Sequence, residues 1–181
     1  MKDKIGSLLA GPTNKQRVFD IARIDLRERI NQLGLVAASN LDWVDIIPDD
    51  GIPLELAKAY KSAGGKKVVG HVPIGGREYL SPYFEYCDDV LDFDGGWSAI
   101  NTCLSLRSDL ITVVGMSAGT MVEIAYTKYH NRYFNRVIPV ALDRTTIKEK
   151  IPFEVDEDID LHYFTSPDEL DRIYRKIKTG R

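Results

Sequence analysis

From Ser108 to Glu123 the chain reads Ser-Asp-Leu-Ile-Thr-Val-Val-Gly-Met-Ser-Ala-Gly-Thr-Met-Val-Glu, an apolar run passing through small residues into a helical pattern that carries a carboxylate. A helix starting near Ala118 leaves its first backbone N–H groups unpaired and aims the positive end of its dipole at whatever lies above the loop. An anion of phosphate size belongs there. Gly115, Ser117, Ala118 and Gly119 are small enough to let backbone N–H groups approach a ligand, with Met116 between them, and the hydroxyls of Ser117 and Thr120 add hydrogen bonds. Glu123 follows Thr120 by three and projects from about the same helix face. A carboxylate there can stabilise or trap a sugar that gains oxocarbenium character as its base leaves. The same residues also read as a plain strand-to-helix turn, with Ser or Thr capping the helix and Glu completing a capping box.

The elements that must position this segment follow from periodicity. Lys4 to Gly11 reads as a first strand broken by Gly11-Pro12-Thr13-Asn14. Val18, Ile21, Ala22, Leu26, Ile30 and Leu33 then fall at helical spacing, with Gly34 as the expected C-cap. Leu35 to Ala38 is expected as the second strand. Pro53 opens a helix that stops at Gly64-Gly65, Lys67 to Val72 is a third strand ended by Pro73, and Ile74 to Pro82 is expected as loop. Asp89 to Phe93 reads as a strand, Gly95-Gly96-Trp97-Ser98 opens a helix reaching Arg107, and Leu110 to Val114 is the strand of the phosphate-sized cradle. Arg136 to Ala141 and His162 to Thr165 are further strands, and Ser166-Pro167-Asp168-Glu169 starts the final helix as N-cap, first-turn proline and capping glutamate. The acidic run Glu154 to Asp160 reads as a solvated loop.

This alternation predicts an α/β fold of three layers, α/β/α, around a mainly parallel sheet of about six or seven strands. Ligands of such sheets bind beyond the carboxyl ends of the strands. That rule selects Gly11, Pro12, Thr13, Ser39, Asn40, Trp97, Ser98, Asn101 and the segment Gly115 to Thr120 as candidate ligand contacts, with Glu123 as the candidate catalytic group. Trp97 can stack on a flat base or plug the core. His71 is read as a hydrogen-bonded structural histidine near the cleft.

Composition bounds the partners. The 181 residues, 44% hydrophobic and 28% charged, suit a single globular domain over 1–181 with its own core. A net charge of -3 argues against a nucleic-acid backbone as partner. Cys87 and Cys103 lie 16 apart, and His71, His130 and His162 are scattered, so no metal site, disulfide framework or cofactor is expected. No segment approaches the roughly 20 apolar residues of a membrane span. The expected compartment is the cytoplasm.

Four places in the chain resemble the Rossmann-like nucleotide-binding superfamily of the Lonely Guy phosphoribohydrolases, which includes the proteins once called lysine decarboxylases. They are Ala63-Gly64-Gly65 before Val68-Val69-Gly70-His71-Val72-Pro73, Ser108-Asp109 opening a strand, Gly119-Thr120 with Glu123, and Phe164-Thr165-Ser166-Pro167-Asp168-Glu169. The resemblance implies a Rossmann-like fold, a nucleotide or phosphoribosyl ligand with its phosphate on the Gly-Thr loop, a glutamate acting on the N-glycosidic bond, and a homodimer, for which Tyr126 and Tyr129 are candidate contacts.

Three departures shape the expectation. The family's Pro-Gly-Gly-x-Gly-Thr is Gly115-Met116-Ser117-Ala118-Gly119-Thr120 here. Its catalytic arginine, nine residues before the position of Asp109, is replaced by Ile100, followed by Asn101. Its glycine-rich turn after the second strand is expected at Ser39-Asn40-Leu41-Asp42-Trp43, where bulky Trp43 cannot replace a small residue. Losing a guanidinium at a phosphate site removes several kcal/mol of transition-state stabilisation, on the order of a missing oxyanion donor. Two classes of function therefore stay open. One is a nucleoside monophosphate N-glycosidase, or a glycosyl-transfer enzyme like the nucleoside deoxyribosyltransferases, which Leu9-Ala10-Gly11-Pro12 and Glu123-Ile124-Ala125-Tyr126 also resemble. The other is a non-catalytic nucleotide-binding or sensing domain.

Overall fold

The computed structural model describes residues 4–13, 18, 25–147, 151–152, 156 and 158–180. The strands are β1 (Gly6–Ala10), β2 (Trp43–Ile46), β3 (Val68–Pro73), β4 (Asp89–Phe93), β5 (Leu110–Val113), β6 (Val140–Asp143) and β7 (Leu161–Phe164). The helices are α1 (Leu26–Asn40), α2 (Ile52–Ser62), α3 (Arg77–Leu80), α4 (Trp97–Cys103), α5 (Ala118–Phe134) and α6 (Pro167–Thr179), with 3-10 turns at Ser81–Tyr86 and Leu104–Arg107. All seven strands are parallel, in the order β4-β3-β2-β1-β5-β6-β7. The chain therefore has the expected three-layer, Rossmann-like α/β fold. The order reverses between β1 and β5, which opens a crevice at their carboxyl ends.

Alternation along the strands divides the core in two. Ile5, Leu9, Val44, Ile46 and Val68 meet α1, α2 and α6 through Leu33, Leu54, Tyr60 and Leu170 on one face. Leu8, Ala10, Ile111 and Val113 meet α4, the 3-10 turn after it and α5 through Ile100, Leu104 and Ile124 on the other. Buried hydroxyls are satisfied in series, Ser7 to Thr112 at 2.8 Å and Thr112 to Tyr174 at 2.8 Å, tying β1, β5 and α6 together.

The second strand is a correction. Leu35 to Ala38 is not a strand, and Gly34 is not a cap: both lie inside α1, which runs to Asn40. Gly34 is there because α1 and α2 approach closely; a Cβ at this position would sit 2.4 Å from the Cβ of Ala59. A helix-interior glycine costs about 1 kcal/mol, and the helix-to-helix contact offsets it. The second strand is Trp43–Ile46. The loop expected over Ile74 to Pro82 carries the short α3 and the start of a 3-10 turn. Val18 is buried in the core. Ile21, Ala22, Asn14 and Glu154 lie outside the described residues, and no described helix is long and apolar enough to cross a membrane.

One ion pair is taken fully out of water. Arg29 of α1 donates to both carboxylate oxygens of Asp143 at the end of β6, at 2.8 and 3.1 Å, with side chains 8% and 0% exposed. Asp143 also accepts from the backbone N–H and the hydroxyl of Thr145, and the guanidinium lies 5.7 Å from the Phe164 ring centroid. Asp143→Ala would leave the guanidinium buried and uncompensated, so urea unfolding should report a loss of about 3–5 kcal/mol. The double replacement Arg29→Met with Asp143→Leu should recover most of it.

Candidate functional site

At the sheet's switch point a cavity of about 300 Å³ opens beyond the carboxyl ends of β1 and β5. Its wall is built from three loops and two helix starts. Gly11, Pro12 and Thr13 follow β1; Ile47, Asp49 and Pro53 follow β2; Trp97 and Asn101 come from α4; and Met116, Ser117, Ala118, Gly119, Thr120 and Glu123 come from the end of the β5 loop and from α5.

The loops are locked by contacts that only small residues allow. A Cβ on Gly11 would lie 2.4 Å from the carbonyl oxygen of Val114. Gly115 has a φ of +79°, and a side chain there would also strike Pro12 and Val18 at 2.9 Å. Its N–H donates to Thr146 Oγ1 at 3.0 Å, and Thr146 in turn donates to the Asp143 carbonyl. The buried Arg29–Asp143 pair thus anchors the loop that carries the cradle. Gly115 shapes this loop from behind and is not on the cavity wall.

Ser117 is the N-cap of α5. Its Oγ accepts from the Thr120 N–H at 3.2 Å and lies 2.9 Å from Thr120 Oγ1, while its carbonyl accepts from Met121 N–H. The capping half of the sequence reading is therefore present, but the box is not: the third helical residue is Thr120, and Glu123 lies one turn further in. Ala118 and Gly119 donate to no described residue, which leaves their N–H groups available to an anion.

Glu123 is 6% exposed and its carboxyl makes no hydrogen bond or ion pair with any described residue. Burial pushes its pKa up to about 8. Among the described residues no lysine or arginine lines the cavity, and Asp49 is the other ionisable residue on its wall. At neutral pH Glu123 is mostly protonated, so it can both donate and accept a hydrogen bond and does not repel an anion.

Ile100, which the sequence resemblance sets against the Lonely Guy arginine, is fully buried in the apolar cluster under α4. The neighbouring Asn101 faces the cavity instead, with its amide about 3.5 Å from where a Cβ on Gly119 would lie. Trp97 is 42% exposed on the rim. Ser98 is exposed on α4 and is not on the cavity wall.

Ser39 and Asn40 are at the opposite, amino edge of the sheet, in the last turn of α1. Ser39 donates to the Leu35 carbonyl, and Asn40 donates to Val36 and to Asp171 of α6. This correction follows from the second strand: the loop after β2 is residues 47–51, and it supplies Asp49. Asp49 accepts from the Tyr79 hydroxyl at 3.1 Å and from the Asp50 N–H at 2.7 Å. Sequence reasoning missed it, although an acid just past the second strand of such a sheet is a recurrent hydroxyl-binding position. His71 is away from this cavity and is bonded to Asp45, as a structural histidine would be.

Fold and pocket together define a Rossmann-like α/β protein with a ligand-sized crevice at its switch point. No protein-family model matches the chain, and no curated protein matches it either. Among solved structures, the molybdenum cofactor carrier protein of Chlamydomonas reinhardtii is similar to it with a TM-score of 0.70 and 21% identity, over 97% of this chain and 99% of that one. The protein TM1055 is similar with a TM-score of 0.72 and 21% identity, over 97% and 99%. The molybdenum cofactor binding protein of Rippkaea orientalis is similar with a TM-score of 0.65 and 19% identity, over 98% of both chains. At these identities the likeness is one of fold. The chain has the Rossmann-like fold that the sequence resemblance implied.

The buried carboxyl sets a pH dependence whose sign is fixed by burial. A group whose folded pKa is raised above its ordinary 4.5 contributes stability that is full at low pH and lost as pH rises toward about 8. Glu123→Gln, which cannot ionise, should gain stability relative to the parent between those limits and hold a constant advantage above them. Urea unfolding at pH 5, 7 and 9 checks it; a difference that does not vary with pH would place the ionised carboxylate in a solvated setting.

Proposed function

We propose that this chain binds and holds a small phosphorylated ligand with a flat heterocycle, and leaves its bonds intact. The ligand's phosphate sits on the N-terminus of α5 and its ring lies toward Trp97. The molybdenum cofactor is the favoured cargo, with a nucleoside monophosphate as the related alternative.

The observation that carries this reading is the charge of the cavity. Its anion site relies on the helix dipole and the backbone N–H groups of Ala118 and Gly119, with no guanidinium or ammonium among the described wall residues. Glu123 near pH 7 is chiefly a neutral hydrogen-bonding group. A covalent route of the deoxyribosyltransferase kind needs it ionised, and a phosphoribohydrolase of the Lonely Guy kind uses the arginine that Ile100 replaces. Binding survives both changes. A cavity of about 300 Å³ lies at the small end of the range for ligand pockets. The choice of cargo draws on the solved structures of the same fold that are named as molybdenum cofactor carrier and binding proteins.

A second reading is favoured by the same raised pKa. A carboxyl that stays protonated at neutral pH is in the form a general acid needs to protonate a departing base. One experiment separates the two. In a Trp43→Phe protein, whose remaining indole is Trp97, the molybdenum cofactor and a panel of nucleoside monophosphates are titrated by fluorescence, and the mixtures are chromatographed for free base. Saturable quenching without base release is expected. Base release that disappears in Glu123→Gln would replace holding with hydrolysis.

The phosphate contact has its own test. A Cβ on Gly119 meets nothing closer than 3.5 Å, so Gly119→Val is expected to fold, while its methyl groups crowd the exposed N–H groups. Affinity for the phosphorylated ligand should fall by about tenfold, the order of a helix-terminus contact, with affinity for the unphosphorylated analogue little changed. Equal losses for both would remove the phosphate from this helix.

A further inference from the structure

The second face of the sheet is only half covered. Helices α4 and α5 lie over β1, β5 and β6 and reach the carboxyl end of β4 at Phe93, whereas Trp43, Val69 and Leu91, on the same face of β2, β3 and β4, form the floor of an open groove of about 520 Å³. This groove shares no wall residue with the cavity above. Its floor is apolar: Trp43, Val69 and the 41% exposed Leu91. The indole of Trp43 occupies the space above Gly6, where a Cβ would come within 1.9 Å of the ring, and its N–H donates to Asp45 at 2.8 Å. The ring is therefore held in place while part of it stays open to solvent, which makes a stacking platform.

The rim is cationic. Lys66 pairs with Asp42 and Lys67 with Asp89, but Lys4 and Arg107 form no ion pair with any described residue. Arg107 extends along the Phe93 ring, 5.8 Å from its centroid. The one carboxylate at the floor is turned inward: Asp45 accepts from His71 Nε2 at 2.7 Å, from Trp43 and from the Ser108 hydroxyl. Its negative charge is spent on protein donors, leaving the rim's positive charge to face the groove.

A buried polar atom without a partner marks the same place. His71 is 1% exposed and belongs to the groove wall, and with Nε2 committed to Asp45 its Nδ1 has no hydrogen-bond partner among the described residues. Native structures rarely leave such a nitrogen unsatisfied. We infer that this groove is a second binding site, one for a flat aromatic anion of carboxylate, sulfonate or phosphate type, whose ring lies on Trp43 and whose charge points toward Lys4 and Arg107.

The protein has two tryptophans, one at each site, so the two can be read separately. Indole N–H signals are assigned by Trp43→Phe and Trp97→Phe, and the intact chain is titrated with 8-anilinonaphthalene-1-sulfonate and with the uncharged N-phenyl-1-naphthylamine. The sulfonate should shift the Trp43 signal saturably and bind more tightly than the uncharged ring. The exposed-residue variant Lys4→Gln with Arg107→Gln should weaken it by about three- to tenfold. Gly119→Val should leave the Trp43 response intact, which keeps this result independent of the first pocket. A Trp43 signal that does not move, a shift confined to Trp97, or equal affinity in the charge variant would each overturn the assignment.

Discussion

The Arg29–Asp143 pair is the contact on which the site's geometry depends. Two opposite charges taken out of water together must meet in good geometry, because an unmatched one is among the most destabilising features a core can hold. Here the match is bidentate and the carboxylate is further satisfied by Thr145. The consequence reaches the ligand crevice in two steps. Thr146, next to that turn, accepts the N–H of Gly115, and Gly115 packs on Pro12 of the β1 loop. Helix α1, the end of β6 and the cradle before α5 are thereby one mechanical unit.

Within that unit the crevice has an uncommon electrostatic character. It presents a helix N-terminus and a buried carboxyl, and its described wall carries no cation. A site that must stabilise charge developing on a sugar or a phosphate usually surrounds it with guanidinium or ammonium groups. Ile100 shows why that is absent from α4: its position faces the apolar cluster, and the neighbouring Asn101 is the residue turned to the cavity. Neutral hydrogen-bonding groups are well suited to recognising and releasing a ligand. They are less suited to driving its cleavage.

Much of the fold was legible because the strands buried on both faces are short apolar runs and the helices start on clear caps. Ser166-Pro167-Asp168-Glu169 is the clearest case, and the observed capping box there matches the pattern read from the chain. The second strand was not legible. Gly34 looks like a stop signal in one dimension, and Leu35 to Ala38 looks like a strand; only the proximity of Ala59 on α2 explains a glycine in mid-helix. That single shift carried Ser39 and Asn40 to the wrong edge of the sheet and hid Asp49.

By itself the sequence determined the alternation of strands and helices, and with it the parallel three-layer sheet and a cradle of small residues at the start of α5, because periodicity and capping are local properties of the chain. The tertiary structure decided which residues share a wall. Asp49 and Trp97 meet the cradle because the sheet order places β2 beside β1 and α4 beside α5. It also decided that Glu123 is a neutral acid rather than an exposed carboxylate, since burial depends on every element packed around it and on no single stretch of sequence.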